Sequence, residues 1–181
     1  MSRLQPIDPS TATGKAKELL DAVKGKLGLV PNMTRVMAVS PAVLESYLGF
    51  SGALAGGLLD AKTREQLALL TAQENHCDYC LSAHTAIGKM VGLNHEQIVA
   101  SREGDGGDPK TTAGLTFAKR VLETKGQILV ADLVAVRGAG FSEGEIAEVI
   151  AHVALNVFTN YFNVATNVDI DFPRVSYTEA A

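Results

Sequence analysis

A chain of 181 residues is long enough for one substantial core and short enough to need no second domain, so one domain spanning 1–181 is expected, with its core at about 19–173. Hydrophobic residues make up 46% and charged residues 20%, which excludes a disordered protein, and a net charge of −4 gives no electrostatic case for nucleic acid or an anionic membrane. There is no Trp, so apolar burial falls to Leu, Val and Ala, a mixture that suits helices better than sheets.

The opening MSRLQPIDPS lacks the apolar core of a signal peptide. Asp132 interrupts Ile128 to Val136, the strongest apolar run, well short of the roughly 20 residues a spanning helix needs. A cytoplasmic location is the expectation, and in a reducing compartment a cysteine pair points to catalysis or metal binding before a permanent staple.

Helix signals follow one another along the chain, with no convincing hairpin. The first helix is expected from about Ala12 to Lys26, with Leu19, Leu20, Val23 and Leu27 as its apolar stripe and Gly28 as its stop. A short helix around Pro31 to Val39 follows. Ser40-Pro41 then reads as N-cap and first helical residue of another, which ends near Gly56-Gly57. Asp60 caps the next, carrying Leu67, Leu70 and Thr71 on one side to about Glu74.

Asn75 is the expected cap of a helix holding both cysteines and ending at Gly92, with Asp78 favourably placed in its first turn. Asn94 with Gln97 forms a capping box for a short helix to about Ser101. Arg102 to Lys110 is too polar and Gly-rich to pack and reads as a mobile loop. Asp108-Pro109 starts a helix to about Lys125, and another runs from Ile128 to Arg137. Ser142 with Glu145 is the cleanest capping box, opening a long helix to Tyr161 or beyond with Ile146, Val149, Ile150, Val153 and Val157 inward. The tail from about Asp169 reads as extended. The sum is an all-α domain of seven to nine helices. The segments starting at Leu58 and Ala139 also look faintly alike, which fits either an old duplication or two helices of similar periodicity.

The chemistry concentrates in Cys77-Asp78-Tyr79-Cys80-Leu81-Ser82-Ala83-His84, which holds both cysteines of the chain and one of its four histidines. At about 100° per residue, Cys77, Cys80 and His84 project from one helix face. A three-residue step brings two Cβ atoms to about 5–6 Å, and a modest adjustment near the helix start closes the pair. The positive helix end stabilises a thiolate there, and a histidine one turn on can take a proton or stabilise the charge. Two small buried hydrophobes and a packed histidine are the bland alternative. Zinc fits less well: CxxCxxxH supplies at most three ligands, there is no second CxxC, and His76, His95 and His152 lie elsewhere. No metal and no cofactor are therefore expected.

Glu65, Cys77, Cys80 and His84, embedded in REQLALLTAQENHCDYCLSAHTAIG, also follow the Glu, eleven residues, CxxC, three residues, His pattern. In this the chain resembles the alkylhydroperoxidase D-like proteins, which belong with the carboxymuconolactone decarboxylases in one all-α superfamily. VPNMTRVMAVSP ahead and NVFTNYFNVATNVDIDFP behind resemble its peroxidase-related members, and the likeness covers about Leu19 to Pro173.

The resemblance implies a thiol-dependent peroxidase with a site of Cys80, Cys77, His84 and Glu65. Cys80 would attack the O–O bond and become a sulfenic acid, and Cys77 would close the disulfide. His84 would assist deprotonation, linked to Glu65 on the preceding helix. A dithiol, possibly a lipoyl-type protein or small thiol, would reopen the pair. A histidine stands between the cysteines in the best-known member, whereas this chain has Tyr79, whose reference pKa of about 10 makes it a poor relay. Helix-end electrostatics by themselves favour Cys77 as the more acidic thiol, while the resemblance favours Cys80.

Asn156, Asn160 and Asn163 recur at helical spacing and either bridge a crowded helix junction or line a pocket. His152 reads as a packed histidine with a backbone partner. Phe158, Tyr161 and Phe162 read as core or subunit interface, and a homo-oligomer is expected. Two other functions stay open: a decarboxylase-like lyase, which needs no thiol pair, and a redox-sensing oligomer with little turnover.

Overall fold

The computed structural model describes residues 1–178. Among them are nine helices and no strand: α1 Gly14–Leu27, α2 Asn32–Met37, α3 Pro41–Ala55, α4 Ala61–Glu74, α5 Asp78–Met90, α6 His95–Glu103, α7 Pro109–Glu123, α8 Val130–Gly138 and α9 Glu143–Thr166. The chain is a single-domain all-α bundle, as the helix signals indicate. None of these helices is long and apolar enough to cross a membrane.

The bundle is organised around α4, which packs against α5, α6, α7 and α9. Gln66, Leu67, Ala68, Leu69, Leu70, Thr71 and Ala72 are all buried, so this helix is covered on every side rather than along the single stripe expected. Its start follows from Asp60, whose carboxylate accepts from the Thr63 N–H at 3.0 Å and satisfies one of the helix's orphan donors. Three apolar clusters result. One joins α4, α7, α8 and α9 around Leu67, Leu70, Phe117 and Val149; a second packs α4, α5 and α6 around both cysteines; the third holds α1, α2 and α3 together.

Several boundaries and faces differ from the sequence reading. Leu27 and Ile150 are exposed rather than inward. Arg102 is buried at the end of α6, where its Nε donates to Gln73 Oε1 and its guanidinium to the Ser176 carbonyl, so the loop before α7 shrinks to Gly104–Asp108. Asn75 does not open α5. It caps the C-terminus of α4, its side-chain amide donates to Asn160 Oδ1 on α9 at 2.9 Å, and His76 turns the chain with φ of 54° before α5 begins. The faint internal likeness spans two helices in one copy, α4 and α5 with a break between, but one unbroken helix, α9, in the other.

Glu148 on α9 fixes the turn between α3 and α4. Its carboxylate accepts from the Leu58 and Leu59 N–H groups at 2.7 to 3.0 Å, and a Cβ on Gly57 would fall within 2.5 Å of it. Only glycine lets the carboxylate approach that backbone so closely.

Candidate functional site

Cys77 and Cys80 form a disulfide, with Cα atoms 5.3 Å apart. Cys77 is the N-cap of α5 and Cys80 its third residue, so the pair occupies the helix end where unpaired N–H groups gather. One of those groups, the Cys80 N–H, donates to Cys77 Sγ at 3.3 Å. The helix-end field predicted to favour Cys77 therefore has a specific donor behind it.

Cys80 receives a different one. Asn163, projecting from α9, places its Nδ2 3.3 Å from Cys80 Sγ and 3.2 Å from Met33 Sδ. Asn163 is buried, and its Oδ1 has no hydrogen-bond partner among the described residues. Asn156 instead returns its amide to the His152 carbonyl, and Asn160 receives Asn75. Of the three periodic asparagines, one bonds back to its own helix, one serves a helix junction and one reaches the sulfur. His152 is buried as expected, but its Nε2 finds no partner among the described residues; burial, aided by the Arg64 charge, holds its pKa below the ordinary value.

One turn along α5, His84 Nδ1 lies 2.7 Å from Glu65 Oε2 on α4, both side chains half-buried. The predicted carboxylate–imidazole contact thus exists, bridging the two helices that pack most extensively in the fold. A carboxylate on Nδ1 fixes the ring tautomer that carries its proton there and leaves Nε2 as the acceptor.

Tyr79 stands between the cysteines but serves the core. Its hydroxyl accepts from the Met33 N–H at 3.2 Å, its ring meets Phe172 edge-on at 5.8 Å, and burial raises its pKa far above the ordinary value. A phenol held neutral in this way keeps its proton and relays none at neutral pH.

The sequence reading treated the tail only as extended; in the structure it is a strap over the start of α5. Asp78 anchors it, accepting from Tyr177 N–H at 3.0 Å and Ser176 Oγ at 3.3 Å and pairing with Arg174 at 3.3 Å. Ser82 Oγ accepts from the Val175 N–H at 2.9 Å, and Tyr177 stacks on His76 with ring centres 4.4 Å apart. Beneath the strap is a cavity of about 230 Å³ bordered by Cys77, Tyr79, Asn163, Arg174 and Tyr177 among others. The advance signal was Asp78 itself, a carboxylate at a helix start with two acceptor oxygens to spare.

Fold and site together define an all-α dithiol/disulfide protein whose cysteine pair sits at a helix end beside a histidine–carboxylate pair. Residues 41–120, which carry all four of these side chains, match the model of the carboxymuconolactone decarboxylase family. The structure is similar to an alkylhydroperoxidase AhpD core, an uncharacterized peroxidase-related protein from Ralstonia eutropha, with a TM-score of 0.83 at 24% identity over 94% of this chain and 92% of that one. It is also similar to the debrominase Bmp8 in complex with 2,3,4-tribromopyrrole, with a TM-score of 0.79 at 19% identity over 94% and 92% of the two chains. An uncharacterized protein from Haemophilus influenzae is 47% identical over 45 residues, a stretch that spans 24% of this chain and 40% of that relative. The chain carries the all-α fold of these alkylhydroperoxidase D-like structures, with the carboxymuconolactone decarboxylase family match lying over its site-bearing segment.

Proposed function

We propose that the protein reduces hydrogen peroxide or organic hydroperoxides through a Cys77/Cys80 dithiol–disulfide cycle. The observation that supports this reading best is the disulfide at the α5 N-terminus with the His84–Glu65 contact one turn away. His84, its tautomer set by Glu65, takes the Cys80 proton. The Cys80 thiolate attacks the O–O bond, forming a sulfenic acid and releasing alkoxide, which is protonated to alcohol. Cys77 then attacks the sulfenic sulfur, water leaves, and the disulfide forms. A dithiol, lipoyl-type or small, returns both cysteines to thiols and itself becomes a disulfide. The reading places the chain in a reducing cytoplasm, as one catalytic domain working in a homo-oligomer.

Burial of both cysteines, whose residues are 1% and 3% exposed, favours a second reading in which the pair reports oxidation with little turnover. A dithiol also supplies the two electrons that reductive removal of bromine requires, so tribromopyrrole belongs among the compounds compared. The test is stopped-flow oxidation of reduced protein by several peroxides, followed by dithiol-dependent turnover. Cys80→Ser is expected to abolish peroxide consumption, while Cys77→Ser leaves one oxidation event and no disulfide. A single oxidation with no turnover supports the sensor reading, bromide release alone replaces the peroxide substrate, and activity unchanged by loss of both cysteines points to a lyase.

A further inference from the structure

Among the described residues, Asn163 is the polar side chain outside α5 that lies within hydrogen-bond distance of a reacting sulfur, and its amide can be oriented without ambiguity. A thioether sulfur and a disulfide sulfur carry no proton, so the –NH₂ end, not the carbonyl, must face Met33 Sδ and Cys80 Sγ. Both amide protons are thereby assigned, one to each sulfur. A neutral disulfide sulfur is a weak acceptor, so this contact contributes little in the oxidised state. The same N–H becomes a charge-assisted hydrogen bond once Cys80 is a thiolate. A donor aimed at an atom where charge develops stabilises the charged state selectively.

We propose that Asn163 is a catalytic residue that stabilises the Cys80 thiolate, and that it thereby directs the reducing thiol to Cys77. This rests on the dithiol–disulfide cycle proposed above. In the step itself, a thiolate of the reductant enters the cavity that Cys77 and Asn163 border and attacks Cys77 Sγ. A mixed disulfide forms between the reductant sulfur and Cys77, the Cys77–Cys80 bond breaks, and the electron pair leaves on Cys80 Sγ, opposite the Asn163 Nδ2. The reductant's second thiolate then attacks its own sulfur in the mixed disulfide, releasing Cys77 as thiolate, and the two protons given up by the dithiol end on the cysteines. Cys77 Sγ has a donor of its own in the Cys80 N–H, but Cys77 borders the cavity the reductant enters and Cys80 does not. Cys77 is therefore the sulfur attacked and Cys80, held by Asn163, the one that leaves. The Asn163 Oδ1, buried without a partner beside that cavity, is left as the acceptor for a proton-bearing group of the incoming molecule.

Two measurements test this, and neither uses peroxide, so failure of peroxide turnover leaves them intact. Protein oxidised with diamide is mixed with 2-mercaptoethanol, quenched in acid within milliseconds, alkylated, and mapped by fragmentation mass spectrometry. The earliest mixed disulfide is expected on Cys77, with Cys80 alkylated; an adduct that starts on Cys80, or equally on both, overturns the proposal. The second measurement is the pH profile of iodoacetamide reaction on reduced Cys77→Ser, where Cys80 is the only thiol. Adding Asn163→Ala is expected to cut the neutral-pH rate about tenfold and to move the midpoint upward, from the loss of one hydrogen bond to a charged group. In the Cys80→Ser background the same change should leave the Cys77 profile in place, which a general loosening of the fold would not. Asn163→Leu keeps the volume, removes the donor and adds no charge, and it serves if the alanine variant fails to fold. Profiles for both variants that superimpose on the parent remove Asn163 from the chemistry.

Discussion

His84 and Glu65 meet across the α4–α5 junction at 2.7 Å, and the value of that contact is testable on the thiol rather than on the imidazole. In reduced protein, His84→Ala is expected to slow iodoacetamide reaction at neutral pH by at least tenfold, with the loss recovered as pH rises past about 8.5, where an unaided thiol ionises. Glu65→Gln should give a smaller loss, because the glutamine can still accept from Nδ1 while the charge is gone. Curves that coincide with wild type would leave the histidine as a packing residue. These four side chains were legible in the sequence because three share one helix face and Glu65 stands at a fixed distance in a recognisable pattern. The contact of Asn163 with Cys80 was not, since 83 residues separate the partners and periodicity says only that the asparagines share a face, not which of them ends opposite a sulfur.

At the level of elements, the caps decide where the chemistry begins. The capping boxes at Asn94 and Ser142 and the Asp60 cap were readable because each is made within four residues. The start of α5 was misplaced by two residues because Asn75, a good cap by type, is engaged by Asn160, a partner 85 residues away. The strap was illegible for the same reason, its bonds to Asp78 spanning 96 to 99 residues. Asp78→Ala removes those three anchors. The Tyr177 and Val175 amides should then exchange with deuterium at least tenfold faster, and dithiothreitol should reduce the disulfide faster, since Cys77 borders the cavity that Arg174 and Tyr177 of the strap also line. Faster amide exchange with unchanged reduction would show that the strap does not limit access. At the other end of α9, Glu145 closes its capping box and pairs with Lys110 of α7, and these hydrogen bonds, the Lys110 one foremost, bring its pKa down to about 2. A depressed carboxylate stabilises the fold above its unfolded value near 4.5 and loses that contribution as pH falls towards 2. Urea midpoints of wild type and Glu145→Gln should therefore differ most above pH 5 and approach each other below pH 3.

For the molecule as a whole, α9 buries polar side chains beside its apolar ones and leaves a row of apolar side chains exposed. His152, Asn156, Asn160 and Asn163 are buried, while Ile150, Phe158, Tyr161 and Val164 are exposed, with Tyr161 at 61%. Successive members of this set are eight, three and three residues apart, so they form one stripe along the helix. The inward face carries Ile146, Val149 and Val153 into the core and turns Asn160 and Asn163 to Asn75 and the Cys80 sulfur, so Ile150, Phe158, Tyr161 and Val164 are left outside the subunit's own core. A contiguous apolar stripe on a single chain is a surface that association covers. A second copy of the same chain is the proposed occupant, because a stripe on one helix can pair with itself across a two-fold axis. A stable dimer buries about 800 Å² per partner, so other exposed apolar residues must join in, and Phe50 on α3, which packs beside α9, is one candidate. Light scattering at micromolar concentration is expected to give at least twice the mass of one chain. Phe158→Glu with Tyr161→Glu should lower it towards one chain with the helical circular dichroism preserved, since neither side chain is in the core. A wild-type protein that scatters as a monomer would refute the assembly and leave the stripe free for a different partner.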